Sequence, residues 1–138
     1  MVAEYFPKHH KRAGDFTDFC MKIKHHIKTH TIRYNYDLWE RRISEVEKGK
    51  AYISVRIWDD KPYRSPQLEI FRFDNTHGVG IEAVDFPLNA VVNDCVDVPL
   101  KIIAYNDGLT TNDFKSWFNK PTKSRMAIIH FTNFRYDY

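Results

Sequence analysis

The chain has 138 residues, 43% apolar, 28% charged and 15% aromatic, and its 21 Lys and Arg against 18 Asp and Glu leave a net charge of +3. That length fits one domain, because two cores would each fall near the lower size limit for burial. The aromatic content and modest charge exclude a disordered chain, and no apolar run reaches the ~18–20 residues a bilayer-spanning helix needs. A balance this close to neutral neither demands nor opposes a polyanionic partner.

Residues 1–14 carry Lys8, His9, His10, Lys11 and Arg12 without an apolar h-region. No signal peptide is expected there, and the segment reads as a basic, flexible arm ahead of a single domain over 15–138. Cys20 and Cys95 lack CxxC spacing. They are expected to be reduced thiols, which points to a cytoplasmic protein.

Asp15 is placed to cap a first helix, in which Phe16, Phe19, Cys20, Ile23 and Ile27 recur at helical spacing. From Lys28 to Tyr34 the residues Thr31, Ile32 and Tyr34 favour an extended backbone. Asp37, with Glu40 three residues on, predicts the start of a second helix. Its buried stripe is Leu38, Trp39, Arg42, Ile43 and Val46, and Gly49 supplies a left-handed end.

The period switches to two at Ala51, where Ala51, Ile53, Val55 and Ile57 alternate with Tyr52, Ser54, Arg56 and Trp58. Asp59 to Pro62 turns the chain into a second strand, Gln67 to Phe73, paired with the first, and Val79 to Phe86 is a shorter third. Pro99 opens a short helix reaching Tyr105. Thr110, with Asp113, caps another that carries Phe114, Trp117 and Phe118 and ends before Pro121. Met126 to Phe134 is an apolar closing strand, central or well covered. This order predicts an α+β domain, an antiparallel sheet or small barrel flanked by helices. Phe16, Trp39, Phe71, Trp117 and Phe131 fall on its inner faces.

One segment carries chemistry: His26-Ile27-Lys28-Thr29-His30-Thr31-Ile32-Arg33, directly after an amphipathic helix. It resembles the signature Gly-x-Lys-x-x-Glu-x-Arg of the ASCH superfamily, small PUA-like β-barrel proteins associated with RNA and modified nucleosides. Lys28 and Arg33 match, His26 stands for the glycine and Thr31 for the glutamate. With threonine there the string is similar to the bacterial N(4)-acetylcytidine amidohydrolases, which use a lysine, a threonine and a later glutamate. The stretch Asp107-Gly108-Leu109-Thr110-Thr111-Asn112-Asp113-Phe114-Lys115 resembles the one that follows that glutamate, putting Asp107 in its place. Met126 to Phe131 is similar to the family's closing strand, whereas Trp58 to Arg64 has no counterpart.

The resemblance implies a PUA-like fold, no cofactor, and removal of an acyl group from a modified nucleoside or RNA. Lys28 would be the base, Thr31 the nucleophile or water-positioner, and Asp107 the orienting acid. Two departures stand out. Asp107 is one methylene shorter than glutamate, and His26 replaces a residue that reaches positive φ without steric cost.

Amide hydrolysis needs a nucleophile, a base and support for the developing oxyanion. A lysine serves as base only where burial or a nearby cation lowers its pKa. Arg33 would supply that cation, or bind a carbonyl or phosphate of the substrate. A carboxylate close to Lys28 works in the opposite direction. In a regular strand Thr31 and Arg33 share one face and Lys28 takes the other. Lys28 is therefore expected in the helix-to-strand turn.

Taken alone, without the resemblance, Lys28 and Arg33 read as a solvated pair beside a strand, and Asp107-Gly108 as a turn. Tyr34, Tyr36, Trp58 and Tyr63 interleave with Arg33, Arg56, Lys61 and Arg64. That pattern suits stacking on bases with attraction to phosphates, or an ordinary strand edge. Tyr34, Trp58, Tyr63 and Arg64 are the candidate substrate-binding residues with Arg33, and residues 61–67 a candidate lid. His25, His26 and His30 assemble no three- or four-ligand zinc set, so no metal is expected and the histidines read as surface or satisfied groups. No Gly-x-Ser-x-Gly elbow or phosphate loop occurs. Two functional readings remain open: an ASCH-like hydrolase, or a non-catalytic RNA- or nucleotide-binding module. Wide separation of Lys28 from Asp107 would favour a third, a regulatory protein with a vestigial pocket.

Overall fold

The computed structural model describes residues 1–119 and 125–138. The chain runs α1 (Phe19–Lys24), β1 (His30–Tyr34), α2 (Tyr36–Glu47), β2 (Ile53–Trp58), β3 (Gln67–Phe73) and a 3-10 turn at Asn75–His77. It continues through β4 (Gly80–Asp85), β5 (Ala90–Val92), β6 (Val96–Val98), α3 (Leu100–Asn106), α4 (Thr111–Trp117) and β7 (Met126–His130).

Five strands form one antiparallel sheet in the order β1-β7-β4-β5-β6, while β2 and β3 make a separate hairpin. The domain is thus α+β. All five residues of β7 are buried, as a strand covered on both faces requires. Ile128 belongs to the main core with Ile32, Val84, Ile103 and Phe114. Its neighbours Ala127 and Ile129 pack against Ile43 and Val46 of α2. Alternate residues of one strand serve two cores because successive side chains leave a strand on opposite faces.

Several expectations need correction. Asp15 caps nothing: α1 begins at Phe19 with Asp18 before it, and Phe16 is exposed, bridging to Tyr5. Ile27 is also exposed, beyond the helix end. The cap of α2 is Asn35, whose side chain accepts from Leu38 N, and Asp37 lies in the first turn. Arg42 is not part of the buried stripe; its guanidinium covers the Trp39 ring at 4.9 Å. β4 pairs with β7 and β5 rather than with the hairpin. The short strands β5 and β6 were not anticipated; Asn93 and Asp94, both at positive φ, turn the chain between them. Pro121 lies outside the described residues.

Residues 1–14, read from sequence as a loose arm, fold back on the domain. Val2 and Phe6 join the main core, Gly14 N donates to Phe6 O, and His10 Nε2 lies 2.8 Å from Asp113 O. Two apolar anchors are joined by polar contacts, among them Val2 N–H to Arg56 O at 2.9 Å and Arg12 Nη1 to Asp113 Oδ2 at 2.6 Å. Among the described residues, no helix is long and apolar enough to cross a membrane.

Candidate active site

Lys28 lies in the turn between α1 and β1, as expected. Helix α1 stops at Lys24, His26 takes φ 59°, and the amides of Ile27 and Lys28 both return to Lys22 O at 2.8 and 3.0 Å. Thr29 then ties the turn to its surroundings: its N–H donates to Asn106 O at 2.8 Å and its C=O accepts from Phe131 N at 3.0 Å. These bonds hold Lys28 against the C-terminal end of α3.

Asp107 is the residue at that end. Its N–H closes the last turn on Ile103 O at 3.0 Å, and Gly108 follows at φ 83°, the left-handed conformation that terminates helices. The two residues meet there: Lys28 Nζ donates to Asp107 O at 2.8 Å and to Asp107 Oδ1 at 3.0 Å. Only 3% of Lys28 and 4% of Asp107 is exposed. The Phe19 ring lies 4.3 Å from the amine.

The pair opens on a cavity of about 280 Å³ that Thr31, Arg33, Phe19 and Trp117 also line. Thr31 and Arg33 reach it from the same face of β1, and Lys28 joins them because the chain turns before the strand. Arg33 gives Nη1 to Ile32 O at 3.1 Å and Nη2 to Met1 O at 2.7 Å. No carboxylate forms an ion pair with it among the described residues.

Burial pushes the Lys28 amine below the ordinary lysine range. Asp107 opposes that shift, and the positive charges of Arg33 and Lys22 add to it. Burial works to raise the Asp107 carboxyl, yet Lys28 and His30 outweigh it and hold it below the usual carboxylate range. The arrangement is an amine kept out of water and an ionised carboxylate that orients it. Two of the three positions on the amine face Asp107, leaving one to carry or release a proton.

The other candidates lie elsewhere. Tyr34 is exposed at the end of β1. Trp58, the last residue of β2, and Tyr63, in the connection to β3, hold their rings 5.2 Å apart and tilted; Tyr63 is 89% exposed, and Arg64 is exposed beside it. None of these four lines the cavity, nor do residues 61–67 cover it.

Sequence reasoning missed His30 and Tyr136. His30 is fully buried, with Nε2 2.7 Å from Tyr136 Oη and Nδ1 3.4 Å from Asp107 Oδ1. A signal existed, since His30 and Ile32 alternate with Thr31 and Arg33 in β1 and share the face turned to the core. Nothing in the sequence pointed to Tyr136. His25 and His26 are exposed, and among the described residues no group of three or more His, Cys, Asp or Glu is placed to hold a metal ion. No protein-family model, curated protein or solved structure matches the chain.

Proposed function

We propose that the protein is a cytoplasmic, PUA-like hydrolase of ASCH type that removes an acyl group from a modified nucleoside such as N(4)-acetylcytidine. The observation that carries this reading is the 3.0 Å contact of Lys28 Nζ with Asp107 Oδ1, made in a cavity shared with Thr31 and Arg33. Residues 79 positions apart meet there in the combination the chemistry needs. The positive φ of His26 supports it too, because the backbone takes the conformation for which the signature keeps a glycine.

Lys28, neutral, takes the proton of the Thr31 hydroxyl or of a water that Thr31 holds. The oxygen so freed bonds to the acyl carbon, and the negative charge passes to the carbonyl oxygen, which Arg33 faces. The carbon–nitrogen bond then breaks, and the leaving amine recovers the proton from Lys28. Where Thr31 itself has attacked, a water repeats the sequence and releases the acid. Asp107 fixes the direction of the amine throughout by accepting one N–H. A cavity of about 280 Å³ sits at the small end of ligand pockets and suits one base with its acyl group.

Incubation with N(4)-acetylcytidine, followed by chromatography for cytidine, tests the reading. Lys28→Ala is expected to lower the rate at least ~100-fold, the usual scale for loss of a general base. Absence of turnover, or turnover unchanged in Lys28→Ala, rejects it. A second reading draws on Arg33, a cation without an acid partner among the described residues: a non-catalytic module that binds RNA or a nucleotide. It predicts salt-dependent binding that weakens in Arg33→Gln and leaves the ligand chemically intact.

A further inference from the structure

A carboxylate in contact with a lysine stabilises the ammonium and so resists the deprotonation a base requires. The side chains behind Asp107 relieve that conflict. Tyr136 Oη accepts from Asn106 Nδ2 at 2.9 Å. An amide N–H only donates, so the phenolic hydrogen gains a partner when it points to the other neighbour, His30 Nε2, at 2.7 Å. A neutral imidazole that accepts at Nε2 carries its proton on Nδ1. Burial keeps His30 neutral by pushing its pKa below the ordinary histidine range.

Nδ1 of His30 makes no full hydrogen bond, although it lies 3.4 Å from Asp107 Oδ1, the oxygen that accepts from Lys28. That gap is about 0.4 Å beyond a normal N–H···O distance. One carboxylate oxygen therefore has a lysine N–H at bonding distance and an imidazole N–H just short of it. His30 does not line the cavity, so it cannot touch a substrate.

We propose that His30, fixed in its Nδ1–H form by Tyr136 and Asn106, is a positioning residue that stabilises the Asp107 carboxylate when Lys28 gives up its proton. As the amine becomes neutral, the carboxylate loses its counter-charge, and Nδ1–H closes on Oδ1 to replace part of it. This rests on the acid–base role given to Lys28 above. Lys22 and the Phe19 ring face Lys28 from α1, and Arg33 faces it from β1. The His130 ring of β7 packs on His30 at 5.5 Å, with Glu82 of β4 bonded to its far side. Lys22 and Arg33 favour the neutral amine, and Asp107 is the one acid facing it among the described residues.

The test uses Tyr136→Phe, which removes the hydrogen that selects the tautomer, and Asn106→Ala, which only frees Tyr136 to accept from His30. With the proton on Nε2, a lone pair on Nδ1 faces Asp107, and the carboxylate draws more strongly on Lys28. The Lys28 amine is followed by NMR in protein labelled with 13C at lysine Cε, its signal assigned with Lys28→Arg. Its midpoint is expected to rise by about one pH unit, a tenfold change in proton affinity, in Tyr136→Phe. A smaller rise is expected in Asn106→Ala, which also serves if Tyr136→Phe does not fold. The acid limb of the N(4)-acetylcytidine pH profile moves by the same amount while the plateau kcat is kept. A purely structural role would lower the plateau without moving the limb. An unchanged Lys28 midpoint overturns the proposal. A shifted midpoint in a protein that hydrolyses no N(4)-acetylcytidine upholds the role of His30 and rejects the deacylase.

Discussion

Glu82 Oε1 lies 2.7 Å from His130 Nε2, and the same carboxylate receives the backbone N–H groups of Tyr136 and Asp137 at 2.8 Å each. The contact runs diagonally between β4 and β7, since His130 is opposite Gly80 in the register. Glu82 therefore fixes where Tyr136 stands, and through Tyr136 the ring of His30.

Glu82→Ala leaves three donors at this spot without their acceptor. Each buried donor so orphaned costs about 1–3 kcal/mol, and the whole change is expected to cost on the order of 3 kcal/mol or more. Urea unfolding should show a lower midpoint at unchanged slope. A midpoint equal to that of the parent protein would show that the carboxylate does not anchor the chain end.

The same pair sets a pH dependence. Burial pushes His130 down to about 4 from an ordinary 6.5. As pH falls below 6.5 the unfolded chain takes up a proton that the folded one refuses until about 4, so stability drops across that interval. His130 alone accounts for ~3 kcal/mol of the drop, and His30, lowered in the same direction, adds to it. Glu82 acts further down. Its carboxyl lies below the ordinary value because bonds from His130, Tyr136 and Asp137 outweigh the effect of burial. Its contribution is present at neutral pH and is lost as pH falls through the folded value. Thermal melts from pH 7 to pH 4 should show a steady loss of Tm, flattened in His130→Gln, which can still offer an N–H to Glu82.

Strong periodicity was readable in the sequence, and contacts between distant segments were not. The alternation from Ile53 to Trp58 and the apolar run from Met126 gave strands where strands exist, and Thr110 caps α4 by accepting from Asp113 N. The turn position of Lys28 followed from side-chain parity once the resemblance had grouped Lys28 with Thr31 and Arg33. The first helix was drawn too early because Asp15 and Phe16 satisfy a cap-and-stripe pattern locally, while the real partner of Phe16 is Tyr5. Val2 and Phe6 were hidden by the basic residues around them, since composition averages over the few side chains that dock. In the site, the juxtaposition of Lys28 with Asp107 was expected from a resemblance, not from any pattern. Tyr136, joined to His30 across 106 positions, left no local trace.

The shorter acid fits the space it has. Asp107 already places Oδ1 3.0 Å from Lys28 and is almost fully buried, so the geometry does not call for a longer side chain. Asp107→Glu adds a methylene where Oδ1 already has Lys28 at 3.0 Å and His30 at 3.4 Å. Overpacking of this kind costs about 1–3 kcal/mol, and it turns the carboxylate away from the amine. Activity on N(4)-acetylcytidine is expected to fall by about tenfold or more, since small misplacements are costly in catalysis. A variant as active as the parent, or more so, would mean that the carboxylate acts at a longer reach than 3.0 Å.

Gly108 and Gly49 separate backbone strain from pressure on the site. Both follow a helix at positive φ, 83° and 76°, where a side chain costs about 1–2 kcal/mol. A Cβ on Gly49 would meet only the end of the Asn75 side chain, at 3.3 Å, which can move. A Cβ on Gly108 would stand 3.2 Å from Lys28 Cβ and 3.3 Å from the Phe19 ring, both buried beside the cavity. Gly49→Ala should lower stability by the backbone cost alone and leave the Lys28 midpoint where it is. Gly108→Ala should lower stability further and displace that midpoint, because Lys28 must shift against Asp107. Equal losses in the two variants, with the lysine titration untouched in both, would show that the turn after α3 does not position the amine.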